Sequence, residues 1–275
     1  MYTTFIYDGT FNGLISAVYE AFYSKLPVTE VRIIENCSAE QRSTLFDREI
    51  IVETSEDNAN KVLSALIKKI SYDVYYDIYM VFLSFYPDKG DVIFKYIKLC
   101  FAMGRKIFIH ISHPDISRVK KICRRVSFES HKLLGFVRFQ QINSGIYFSR
   151  ITPENNQLEL IAPHFSERMY YENWIIYDSN RKLACVHNAR KAKEGQNDFG
   201  DNLKKDFYIT DDIPDDILNN NMDSHNTQAE SKYRGLWKSF FDTLGIAERY
   251  NPKCQRTLMP KRYWENMVEV KDKLN

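Results

Sequence analysis

The chain has 275 residues, 44% hydrophobic and 27% charged, which suits one large globular domain or two joined ones and excludes global disorder and fibrous repeats. Its 38 basic and 36 acidic residues leave a net charge of +2, so only local patches could attract nucleic acid. The 18 Phe, 18 Tyr and 3 Trp suit either a thick core or stacking platforms for bases.

Tyr2–Tyr7 alternates as a strand, Asp8-Gly9-Thr10 makes a turn with capping chemistry, and Phe11, Leu14, Ile15, Val18 and Phe22 recur at helical spacing. Val31–Ile34 and Glu49–Glu53 are β-rich. Val62, Leu63, Leu66, Ile67 and Ile70 mark a helix, and Val74–Tyr86 marks a second. Pro87-Asp88-Lys89-Gly90 is a break, which divides the chain into an N-terminal α/β segment, 1–88, and a C-terminal domain, 89–275. Beyond it, Val92–Met103 and Ile116–Val126 are helical and flank a strand-like run, Lys106–Ile111.

Gly135–Ile142 and Gly145–Ile151 form a hairpin across Asn143-Ser144. A strand at Leu158–Ala162 leads into Pro163, placed to open a helix reaching Tyr171. Trp174–Tyr177 and Leu183–Val186 make a second hairpin. Residues 188–228 turn polar and are expected to be an exposed loop or linker. Tyr233, Leu236, Trp237, Phe240, Phe241 and Leu244 then share one helical face expected to be mostly buried, and a short helix follows Pro260. Hairpins mixed with unevenly spaced helices predict an α+β fold: an N-terminal strand–helix unit, then helices and hairpins, ending in helices.

No Walker loop, GxGxxG, HExxH or GxSxG is present, which removes the main support for ATPase, dehydrogenase, zincin and α/β-hydrolase readings. The five cysteines are scattered without a CxxC pair, and His110-x-x-His113 has no clustered third ligand, so no metal is expected. No stretch is long enough to span a bilayer, and the N-terminus lacks signal-peptide features, so the expected location is the cytoplasm, away from any membrane.

Two segments carry concentrated positive charge. Arg118, Lys120, Lys121, Arg124 and Arg125 decorate a helix whose other face is apolar, and serve as a solvated surface or, with Arg118, Lys121, Arg124 and Arg125 as the contacts, as a phosphate-binding face. Arg249, Lys253, Arg256, Lys261 and Arg262 occur without an acid and lie among Tyr250, Tyr263 and Trp264, as in a backbone groove with stacking platforms or a helix anchored to the core. Arg138 on the first hairpin could assist. For catalysis, Asp8, His164 and Asp178 are the candidate acid/base groups, with Arg168 and Arg181 as phosphate holders, although buried structural contacts explain the same residues.

YDGTFNG (Tyr7–Gly13), GFVRF (Gly135–Phe139), PHFSERM (Pro163–Met169), the W-x-I-x-D-x-x-R pattern at Trp174–Arg181 and the block Leu236–Met267 resemble a bacterial family described as probable DNA metabolism proteins, built on a domain of unknown function. Members are typically encoded beside a radical-SAM protein with helix-hairpin-helix elements, and a similar domain is fused to some uracil-DNA glycosylases. The resemblance implies a DNA-repair or DNA-modification setting and carries no catalytic residues. It also implies that any iron–sulfur cluster and SAM belong to the partner, with no cofactor in this chain. The expected function is therefore a DNA-binding (or RNA-binding) or substrate-presenting partner of a radical-SAM enzyme. The alternatives are an enzyme acting on a nucleotide or damaged base through Asp8 and His164, and a protein-interaction subunit that binds no nucleic acid.

Overall fold

A computed structural model describes residues 2–36, 48–142, 145–189, 206–214, 228–244 and 249–271. Two compact units divide the chain at 128/129, within one long helix. The fold is α+β, as the sequence predicts.

The first unit is built on three parallel strands in the order β2-β1-β3: β1 (Thr3–Tyr7), β2 (Val31–Glu35) and β3 (Arg48–Ile51). The central strand places Phe5, Ile6 and Tyr7 in the core, and α1 (Phe11–Tyr23) packs Leu14, Ile15, Ala17 and Val18 against it. Thr10 caps α1 by accepting from Gly13 N at 2.9 Å, which satisfies one of the free donors of the first turn. Helices α2 (Glu56–Lys69), α3 (Tyr72–Phe82) and α4 (Lys89–Met103) follow, the first two capped by Ser55 and Ser71.

The expected boundary at 88/89 lies inside this unit, because the start of α4 seals the outer edge of β2. Ile33 N donates to the Asp91 carboxylate at 2.7 Å, which occupies an edge N–H that would otherwise invite another strand. The approach is close enough to require glycine: a Cβ on Gly90 would stand 2.3 Å from the Ile33 carbonyl oxygen. Gly90→Ala therefore has to push α4 off β2. The expected cost is about 1–3 kcal/mol by overpacking, read as a lower melting temperature, and an unchanged melt would mean that α4 does not bear on the strand.

Helix α5 (Pro114–Phe136) runs through the division between the units, with Pro114 at its first position and Ile116, Val119, Ile122, Val126 and Leu133 buried along one stripe. It is ten residues longer than the predicted end at Val126 and takes in Gly135 and Phe136. The run expected as a strand at Lys106–Ile111 is instead a 3-10 helix, Gly104–Phe108, followed by a turn.

The second unit carries a five-stranded sheet in the order β4-β5-β6-β7-β8: β4 (Gln140–Ile142), β5 (Ile146–Ile151), β6 (Asn173–Asp178), β7 (Leu183–His187) and β8 (Phe207–Thr210). Both predicted hairpins are present, and a parallel β5–β6 pair joins them. Between those two strands lies α6 (Leu158–Arg168), which corrects the strand expected at 158–162. Leu158, Ile161, Ala162 and Phe165 are buried at helical spacing, so Pro163 sits within the helix rather than at its first position.

Tyr263, Trp264 and Met267, around the 3-10 helix Lys261–Asn266, close the core against Trp174 and Ile176 of β6. β8 falls inside the stretch expected to be loop, while 190–205 and 215–227 of that stretch lie outside the described residues. Among the described residues two further helices follow, α7 (Gln228–Leu244) and α8 (Pro252–Leu258). The expected burial of α7's apolar face does not hold: Leu236, Trp237 and Phe240 are 55%, 43% and 54% exposed, and Phe241 is partly buried against the core.

Candidate functional site

The basic face of α5 follows from its periodicity. With the stripe from Ile116 to Val126 buried, Arg118, Lys121, Arg124 and Arg125 are left exposed on the first unit. Arg118 pairs with Asp88, an ion pair whose partners are 49% and 39% exposed and which is therefore worth little and easily exchanged. Arg125 donates to Tyr86 Oη at 3.0 Å and lies 4.9 Å from the ring centre of Phe85, which stacks on Tyr86 with centroids 4.4 Å apart. Phe85 itself is exposed. Among the described residues, Lys121 and Arg124 pair with no carboxylate. Cations beside a stacked aromatic pair with one exposed ring are the components of a phosphate-and-base contact surface.

Lys120, from the same run, has a different role. Its ammonium sits 2.7 Å from the buried Asp77 carboxylate, which also accepts from Tyr96 Oη at 2.8 Å. A buried carboxylate needs such compensation, so Lys120 is committed to the fold.

In the second unit, three predicted phosphate contacts are committed internally. Arg138 holds the buried Glu269 carboxylate at 2.7 Å and the Gly135 carbonyl at 2.7 Å. Arg181 pairs with Asp178 at 2.9 Å and reaches the carbonyls of Pro153 and Glu154. Arg262 pairs with Glu154 at 2.6 Å and lies 3.5 Å from Glu129. Arg168, Arg249, Lys253, Arg256 and Lys261 remain exposed. Arg249 and Tyr250 border a cleft of about 430 Å³ with Leu244, Asn251 and Leu258.

The centre of those braces was not anticipated from the sequence. Glu129 is buried and its carboxylate accepts from Asn155 N and Glu154 N at 2.9 Å, from Tyr263 Oη at 2.7 Å and from the Asn155 side chain at 2.6 Å. Burial alone would raise this carboxyl, but the hydrogen bonds from Tyr263, Asn155 and Glu154 outweigh it and hold it below its ordinary value. In sequence Glu129 is one acid in a basic run, and nothing local signals the loop 25 residues later that donates to it.

The three candidate acid/base groups are not gathered together within either unit. Asp8 belongs to the first unit, and His164 and Asp178 belong to the second. Asp8 follows the central strand of the β2-β1-β3 sheet, outside its carboxyl end, where open parallel sheets place ligands. It accepts from Thr10 N at 2.9 Å and from the hydroxyls of Thr10 and Thr54 at 2.7 Å. Burial raises Asp8, yet these donors prevail and the carboxyl is lowered, which suits a loop clamp and opposes a general acid.

A Cβ on Gly13 would stand 2.0 Å from Asp8 Oδ1, so only glycine admits the clamp. Glu35, paired with Lys89 at 3.1 Å, borders the same turn near Gly9, whose φ is +88°. Asp178 is fully buried, raised by burial with Arg181 opposing, and accepts from Asn180 N and Arg181 in its turn. His164 is half-buried on α6, edge-on to Phe165 at 5.1 Å, one turn before the exposed Arg168.

Among the described residues no three His, Cys, Asp or Glu side chains converge on a metal position, and no helix is long and apolar enough to cross a membrane. The described cysteines are unbridged, and burial pushes Cys100 and Cys123 up to about 12.

No curated protein matches the chain. A family model described as a domain of unknown function (DUF4130) matches residues 87–269. The match takes in α4, α5 and most of the second unit, and leaves Asp8 outside.

Proposed function

The chain belongs to the family of that domain of unknown function (DUF4130), and from this premise we propose that it is a nucleic-acid-associated protein of DNA metabolism. The observation that carries the reading is the exposed face of α5, where Arg118, Lys121 and Arg124 lie on the same helix as Arg125, whose guanidinium sits against the stacked Phe85–Tyr86 pair. Phosphate is the ligand that such a face satisfies best, because it replaces a solvent-exposed ion pair and meets two cations that pair with no carboxylate among the described residues. The sequence resemblance supports the finer part: a DNA-binding or substrate-presenting partner of a radical-SAM enzyme, which would itself hold the cluster and SAM. Internal pairing of Arg138, Arg181 and Arg262 restricts the proposed contact set to the exposed cations. The enzyme alternative has less behind it, since Asp8 is clamped in its ionised form and Asp178 braces a turn.

The test is a salt titration of binding to duplex and single-stranded DNA. Contact through the four exposed α5 cations predicts a log–log slope of roughly −3 to −4. Absence of binding at about 100 mM salt would remove the reading and leave a protein-interaction subunit.

A further inference from the structure

The first unit carries a second basic and aromatic surface, away from the residues used above. On α1, Tyr19 lies one turn before the neighbouring Phe22 and Tyr23, and with Phe101 of α4 the three line a cleft of about 380 Å³. Lys61 and Lys69 of α2 stand at its rim. Phe22 and Phe101, their rings 5.8 Å apart at 66°, also wall a neighbouring cleft of about 760 Å³ that carries Lys95 and Lys98. The two rings therefore form a ridge between adjoining depressions.

Charge on this surface is one-sided. Lys61 lies 5.8 Å from the Tyr19 ring centre, Lys69 5.9 Å from Phe101 and Lys98 5.9 Å from Phe22. Among the described lining residues the only carboxylate is Asp115, 3.8 Å from His113 at the edge of the larger cleft. Phe22 is 39% exposed and Tyr23 64% exposed, so their faces are available to a ligand.

We infer that this ridge binds single-stranded nucleic acid, with unpaired bases stacked on the aromatic faces and phosphates held by the lysines. The inference rests on the nucleic-acid reading above and deepens it by naming the form bound. A duplex keeps its base faces covered, so it gains nothing from exposed rings, whereas every unpaired base offers a stacking face. Each cleft is of the size that accepts a body as small as one nucleotide. An apolar peptide would fill the rings and offer no charge to Lys61, Lys69 and Lys98, whereas Lys95 already lies near the Asp91 carboxylate; a phosphodiester chain supplies both a stacking face and the charge.

The experiment uses the full chain with a short labelled oligothymidylate and a blunt-ended two-strand duplex. The wild type is expected to prefer the single strand. Phe22→Ala with Phe101→Ala should lower single-strand affinity about tenfold or more, with duplex affinity and salt slope unchanged. Lys61→Gln with Lys69→Gln leaves the packed rings in place and should flatten the single-strand slope by about 1–2. Wild-type single-strand binding by the aromatic double variant, or an unchanged slope in the lysine double variant, overturns the inference while duplex binding through α5 stands. No binding of either probe by the wild type removes the nucleic-acid reading and this one with it.

Discussion

Glu129→Ala is expected to destabilise the second unit by about 3–5 kcal/mol, the usual cost of breaking a buried, hydrogen-bonded charge network from one side. The substitution leaves Tyr263 Oη, the Asn155 side chain and the N–H groups of Glu154 and Asn155 without their shared acceptor, and deprives Arg262 of one of its two carboxylates. At roughly 2–4 °C per kcal/mol for a unit of this size, the melting temperature should fall by about 6–20 °C.

The same group sets an acid limb. Its folded-state pKa lies below the ordinary 4.5, so its contribution is present above the unfolded value and is lost as pH falls through the folded one. Glu269, lowered by Arg138 against its own burial, adds to the limb with the same sign. Glu129→Gln keeps the shape and one acceptor oxygen, and should remove part of the pH dependence below about 4.5 while folding at neutral pH. Thermal melts of the variants between neutral and acidic pH decide the matter. A Glu129→Ala melt within a degree or two of wild type would mean that the loop at 153–157 is held by something else.

What was legible in the sequence is what local physics determines. The turn Asp8-Gly9-Thr10 announced itself through capping chemistry, both hairpins through turn residues between alternating runs, and α5 through its single apolar stripe. Leu158–Ala162 failed because Pro163 competes with periodicity as a signal. Leu158, Ile161, Ala162 and Phe165 keep the helical period, and burial of that face outweighs the backbone hydrogen bond that the proline removes. The face of α7 failed for another reason: an amphipathic pattern identifies which residues share a side, and not what covers them.

The candidate site was half legible for a related cause. Charge counting finds cations but not the acids that claim them. Arg138 meets Glu269 across 131 positions and Arg262 meets Glu154 across 108, separations that no local pattern encodes. Helix α5 escaped this ambiguity because its buried stripe fixes which of its own cations face outward. Lys120 shows the limit even there: one position from Lys121, it turns inward to Asp77. The aromatic partner Phe85–Tyr86 was also hidden, since those residues looked like the end of a helix that in fact stops at Phe82.

These assignments make a sharp expectation for Arg118→Ala, Lys121→Ala and Arg124→Ala combined. None of the three is buried, and Arg118 gives up only an exposed ion pair, so the variant should fold with little loss of stability. Each phosphate contact removed takes away about 0.9 from the salt slope, and three should flatten it by about 2.7. Counterion release at about 100 mM salt is worth close to a factor of ten per contact, so duplex affinity should fall by about 10²–10³-fold, and alike for all sequences, because backbone contacts carry no base information. Arg138→Ala is the contrasting case. Its guanidinium already holds Glu269, so its loss should lower the melting temperature through the stranded carboxylate and leave the slope unchanged. Fluorescence anisotropy against salt, with melts in parallel, separates the two outcomes. A triple variant with wild-type slope would take α5 out of the interface, and a flattened slope in Arg138→Ala would mean that its ion pair opens to take phosphate.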